Sequence, residues 1–197
     1  MGEKIITERV NLENGEFLKV VLGGKDYYLP FKVLGGKKVG FLDISGEVAL
    51  IESCAEQLVD LLDENGVEFD TILNPVSKSN ALAHSIAVKW AAKKNVDLSK
   101  TIVARKSGGG KITANYRSVT TDHEQTMSLT DDDAEYIKGK RVLVIDDVFG
   151  GGGTTKALME LVEKSGAIMA AHAVAAIEQG ADIPDYLYYL FELPIGD

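Results

Sequence analysis

Most of this chain repeats one order: a short run of branched apolar residues, then a longer stretch with apolar residues three and four apart. Val48, Ile51, Ala55, Leu58, Val59 and Leu62 recur at helical spacing, and Gly66 is placed to end that helix. Ser45 is placed to cap it, with Glu47 in the first turn. Phe69-Asp70-Thr71-Ile72-Leu73 reads as a strand, Ala83, Ile86, Ala87 and Trp90 mark a second helix, and Thr101-Ile102-Val103-Ala104 is another strand. Val142-Leu143-Val144-Ile145 lacks polar alternation, as a strand buried on both faces does. A helix over 154–165 follows, with Leu158, Leu161 and Val162 inward and Gly166 as its stop, and segments 170–177 and 186–191 read as later strands. Strands separated by helices predict an α/β fold, a central and mostly parallel sheet with helices on both faces.

Residues 4–42 break that rhythm. Phe17–Leu22 and Tyr27–Leu29 flank Gly23-Gly24, and a second pair, Gly35-Gly36, precedes Lys38–Leu42, so this segment reads as short strands ahead of the main sheet. With no repeat and no linker, one domain over 1–197 is expected: a β-rich hood segment (1–42), a core (43–178) and a C-terminal strand and hood (179–197).

Composition narrows the function classes. The chain is 45% hydrophobic and 26% charged, ordinary for a soluble globular protein. Its net charge of −9 argues against a broad nucleic-acid surface, so no nucleic-acid partner is expected. No apolar run approaches a membrane span, and Met1–Ile6 lacks the apolar core of a signal peptide. Cys54 is the only cysteine, which fits a cytoplasmic location, and its apolar helical neighbours suggest a buried, inert thiol.

The chemistry concentrates at one place. The strand 142–145 leads to Asp146 and Asp147, then to Gly150, Gly151, Gly152, Gly153, Thr154 and Thr155 at the start of a helix. A glycine loop entering a helix N-terminus presents bare N–H groups and a positive dipole end, which suit a phosphate. The adjacent carboxylates can accept hydrogen bonds from sugar hydroxyls or hold a metal ion that the ligand brings. A dinucleotide fingerprint would put the acid after the glycines, and a P-loop would need Gly-Lys-Ser/Thr; neither occurs. Two further groups follow strands: Ser77, Lys78 and Ser79, and Arg105 with Lys106. Each has a plainer alternative, helix capping for the serines and a surface charge for Arg105. The stretch 107–124 reads as a lid or as an ordinary hairpin. Thr130-Asp131-Asp132-Asp133 is better read as a capped helix start than as a metal cluster, and His172 as a satisfied core histidine.

The acid–glycine stretch resembles the phosphoribosyl-pyrophosphate (PRPP) binding motif of type I phosphoribosyltransferases, with matches at Asp146, Asp147, Gly152, Gly153 and Thr154 and a departure at Gly151, where the family usually has threonine. The resemblance covers about 41–178 and is nearest to adenine phosphoribosyltransferases and related PRPP-binding proteins. It implies the type I phosphoribosyltransferase fold, a homodimer, and transfer of 5-phosphoribosyl from PRPP to a nucleobase, with a purine as the favoured class. Asp146 and Asp147 would hold the ribose, 150–155 the 5-phosphate, and Ser77, Lys78, Ser79, Arg105 and Lys106 the pyrophosphate, with Mg²⁺ arriving on PRPP. Adenine enzymes usually carry arginine and glycine at positions 78 and 79, and arginine at the position of Leu42. The alternative is a PRPP or nucleotide sensor that acts through a protein partner.

Overall fold

The computed structural model describes residues 5–106, 110–116 and 125–196. In chain order the elements are β1 (Ile6–Leu12), β2 (Gly15–Leu22), β3 (Lys25–Leu34), β4 (Lys37–Gly40), α1 (Val48–Glu64), β5 (Thr71–Pro75), α2 (Asn80–Lys94) and β6 (Thr101–Lys106). They continue with β7 (Ile112–Tyr116), β8 (Gln125–Leu129), α3 (Asp131–Ile137), β9 (Arg141–Phe149), α4 (Gly153–Lys164), β10 (Ile168–Glu178), β11 (Leu187–Leu193) and β12 (Ile195–Gly196).

The main sheet has the order β11-β10-β9-β5-β6-β8-β7. Its five strands from β11 to β6 are parallel, and β8 and β7 extend it as an antiparallel pair. Crossover helices cover both faces, because parallel neighbours cannot be joined by tight turns. On one side, Leu58 and Leu62 of α1 and Ile86 and Trp90 of α2 pack with Ile72, Leu143 and Ile145 of the sheet. On the other, Ala134 and Ile137 of α3 and Leu158, Leu161 and Val162 of α4 pack with Leu73, Val142 and Val144. Alternate residues of β9 thus serve two cores, which is why its sequence shows no polar alternation.

The second sheet, β1-β2-β3-β4-β12, is antiparallel. Gly23-Gly24 and Gly35-Gly36 have φ of +55°, +71°, +57° and +79°, as two-residue hairpin turns require. Leu18, Val20, Leu22 and Leu29 join the α1–α2 core. Chain-terminal β12 pairs with β4, so both ends of the chain build this sheet.

Several local expectations shift. Ser45 does not cap α1; it lies in a turn where its N–H donates to Asp43 Oδ1 at 3.1 Å, and the helix starts at Val48 without a side-chain cap. The strand expected over 69–73 runs from Thr71 through Pro75, because pairing with β6 and β9, rather than local apolarity, sets its ends. Thr130 does cap α3: Asp133 N–H donates to its Oγ1 at 3.1 Å. His172 is buried but not satisfied, since neither ring nitrogen has a hydrogen-bond partner among the described residues. β10 is covered on both faces by apolar groups, and Phe149 meets the His172 ring edge-on with centroids 6.1 Å apart.

Candidate functional site

The connection β5–α2–β6 moves along the sheet in one direction and β9–α4–β10 in the other. β5 and β9 are neighbours, so their shared carboxyl end is the point where the winding reverses, and such a crevice is where open α/β sheets bind ligands. A cleft of about 380 Å³ opens there. The acid pair and glycine loop form one wall and the loop after β5 another, while Phe41, Leu42, Leu193 and Ile195 of the hood roof it.

β9 runs four residues beyond the expected strand and carries both acids within it. Asp146 is buried, with its Oδ1 accepting the Asp147 N–H at 2.9 Å; Asp147 Oδ1 accepts the Val148 N–H at 3.0 Å. One oxygen of each carboxylate is thereby tied to backbone, and Oδ2 of Asp147 faces the Lys78 ammonium across the cleft. Burial, reinforced by the neighbouring Asp147 charge, holds the Asp146 carboxyl well above the ordinary carboxylate range.

The loop after Phe149 enters α4 through Gly152, the N-cap, at φ +73°. A glycine there adopts the left-handed conformation without the steric cost of a Cβ, and it has no side chain to occupy the first N–H groups of the helix. No side-chain cap is made, and Gly152, Gly153, Thr154 and Thr155 at the N-terminus of α4 line the cleft, where free donors and the positive dipole end suit an anion.

Opposite, Ser77, Lys78 and Ser79 all line the cleft. Lys78 Nζ stands 4.0 Å from Asp147 Oδ2 and remains half exposed. The Ser79 hydroxyl, however, is buried and donates to Pro75 O at 3.1 Å, so that serine is engaged in holding the loop. From β6, Lys106 reaches the cleft. Arg105 does not: adjacent strand residues point to opposite faces, and its charge is felt instead by Asp133. The hairpin arms β7 and β8 bring Tyr116 and Met127 to the cleft, while 107–109 and 117–124 of the expected lid lie outside the described residues. Among the described residues no three acidic, histidine or cysteine side chains gather as a metal site. Asp131 pairs with Lys111 and Asp133 with Lys100. Cys54 is fully buried, and burial pushes its thiol up to about 12, so it is no nucleophile.

A sequence model of the phosphoribosyl transferase domain matches residues 41–196. The chain belongs to that family. The match runs past residue 178, where the resemblance in sequence fades, and takes β11 and β12 into the phosphoribosyl transferase domain. The chain is 26% identical over 185 residues to the purine biosynthesis transcriptional repressor PurR of Bacillus subtilis, covering 92% of this chain and 60% of the repressor. It is 31% identical over 112 residues to adenine phosphoribosyltransferase of Petrotoga mobilis, covering 56% of this chain and 58% of that enzyme. The crystal structure of adenine phosphoribosyltransferase from Rhodothermus marinus shares the fold, with a TM-score of 0.59 at 19% identity over 94% of this chain and 93% of that one.

Sequence reasoning missed Glu178. It sits at the end of β10, half-buried, and lines the cleft beside Gly150. Only the pairing of β10 with β9, which places Ile177 level with Phe149, brings it there.

Proposed function

We propose that this protein binds PRPP in the cleft at the β5–β9 boundary and transfers its 5-phosphoribosyl group to a ring nitrogen of a nucleobase, with a purine as the favoured class, releasing pyrophosphate. The observation that carries this reading is the pairing of an uncapped α4 N-terminus with two carboxylates, each of which keeps one oxygen off the backbone. A phosphate fits the first and vicinal hydroxyls fit the second, with Lys78 and Lys106 on the far side for the pyrophosphate. Ribose held this way develops positive charge at its anomeric carbon as pyrophosphate leaves. Asp146 and Asp147 stabilise that charge without forming a covalent bond, and the arriving charge in turn favours the ionised form of Asp146. The hood residues Phe41, Leu42 and Leu193 offer a base an apolar surface and keep water out.

The donor set suits Mg²⁺ as a companion of PRPP. It is all oxygen, and no third acid joins the pair among the described residues, so the ion would be held mainly by the pyrophosphate. Once bound, it neutralises charge on the leaving group. We read the chain as one domain over 1–197, working in the cytoplasm as a homodimer.

One observation favours a second reading. The similarity to PurR, a transcriptional repressor, extends over 92% of this chain, so the same cleft would serve a regulator that senses PRPP. Pyrophosphate release from PRPP and Mg²⁺, measured with each common purine and pyrimidine beside calorimetric PRPP binding, separates the two. Binding with turnover supports the transferase, binding without turnover supports the sensor, and no binding rejects both.

A further inference from the structure

We propose that Glu178 is the group that receives the proton which the acceptor base loses when its ring nitrogen is ribosylated; this rests on the transferase reading. The bond changes require such a group. As the nitrogen–carbon bond forms at the ribose, the anomeric carbon–oxygen bond breaks and its electron pair leaves on pyrophosphate. The nitrogen's N–H bond also breaks, and its proton needs an acceptor.

The cleft has few candidates. Asp146 and Asp147 are each tied to a backbone N–H and assigned to the ribose, and Lys78 faces Asp147. Glu178 differs from these: its carboxylate has neither a hydrogen bond nor an ion pair among the described residues, although it is only half exposed to solvent. It lines both the 380 Å³ cleft and a second cleft of about 510 Å³, which share the glycines 150–152 as lining. Its place is kept by a missing side chain: a Cβ on Gly150 would come within 2.6 Å of Glu178 Cδ. The carboxylate therefore occupies the space above the first glycine of the loop, and it lines the same cleft as the acid pair.

It also lies at the hood end. The adjacent Gln179 donates its N–H to Leu193 O and accepts the Ile195 N–H at its Oε1, each at 2.9 Å. Those two hood residues form part of the apolar roof, so the end of β10 is tied to the surface under which the proposed base would lie. Burial raises the carboxyl above its ordinary range, toward the pH at which a proton acceptor works best. The titratable groups that line this cleft with it are Asp146, Asp147, Lys78, Lys106 and Tyr116. In the second cleft they are Lys156, Asp182 and Tyr186.

The test measures PRPP affinity by calorimetry and kcat/KM for the best base across pH, for wild type, Glu178→Gln and Gly150→Ala, with thermal melts as a folding control. Glu178→Gln is expected to keep PRPP affinity within about threefold, lose about a hundredfold or more in kcat/KM, and flatten the acidic limb of the pH profile. Gly150→Ala, which displaces the same carboxylate without removing it, is expected to slow turnover as well. Unchanged kcat/KM in folded Glu178→Gln overturns the inference. So does a large gain in PRPP affinity with turnover unchanged, which would set the carboxylate against the phosphate. A wild type that binds PRPP but turns over no base also overturns it, while leaving PRPP binding intact; a wild type that does not bind PRPP refutes the underlying reading instead.

Discussion

Replacing the acid pair by asparagine separates function from stability, and the structure sets both signs. Oδ1 of each aspartate already accepts a backbone N–H, at 2.9 and 3.0 Å, so under the proposed function Oδ2 is the oxygen that would accept from a ribose hydroxyl. An asparagine must keep its carbonyl oxygen on that N–H, which turns its amide nitrogen toward the sugar where an acceptor is needed. Each substitution then removes one hydrogen bond to a charged acceptor, about 1.5–3 kcal/mol, or roughly ten- to 150-fold in affinity. Adjacent sites couple, so Asp146→Asn with Asp147→Asn is expected to fall between the larger single loss and the sum of the two. Stability should move the other way. Burial holds the Asp146 carboxyl up, so the folded chain keeps a proton that the unfolded chain releases. That contribution to stability is complete below the unfolded pKa of about 3.9 and is lost as pH rises through the folded value. Asp146→Asn removes this dependence and should melt no lower than wild type at neutral pH, gaining on it as pH increases. Calorimetric titration with PRPP and Mg²⁺, beside melting curves at several pH values, reads both effects. Wild-type PRPP affinity in the folded double variant would refute the site assignment.

Three further outcomes are expected. Gly151 is exposed in the loop where the family usually carries threonine, so Gly151→Thr should tighten PRPP binding by up to roughly ten- to a hundredfold; equal or weaker binding would mean the loop holds its ligand differently. Gly152→Ala meets only Phe149, at 3.8 Å, but must adopt a φ near +73°, at a cost of about 1–2 kcal/mol, so melting should drop by roughly 2–8 °C; an unchanged melt would show that the loop relaxes freely. Burial lowers His172 from 6.5 to about 3, so the contribution of this residue to stability is fully present above the unfolded pKa and is lost as pH falls between these values, by up to about 5 kcal/mol. His172→Leu should therefore show a shallower acid unfolding profile, and an identical profile would place the acid-sensitive group elsewhere.

The α/β class and one wall of the cleft were legible in the order of residues alone. Apolar periodicity distinguishes strand from helix locally, and the acids, the glycine loop and the α4 N-terminus are contiguous along the chain, so their proximity needs no tertiary information. Ser77 and Lys78 were legible for the same reason, as residues just past a strand that enters a helix. Local pattern failed where distant pairing decides. The ends of β5 and β9 follow their neighbours in the sheet, Arg105 and Lys106 part company because a strand alternates, and the Ser79 hydroxyl turns inward to Pro75. Above all, β10 lies beside β9 and β12 joins β4 only in three dimensions. That arrangement sets Glu178 against Gly150, 28 residues earlier in the chain, and roofs the cleft with Phe41 and Leu42 together with Leu193 and Ile195.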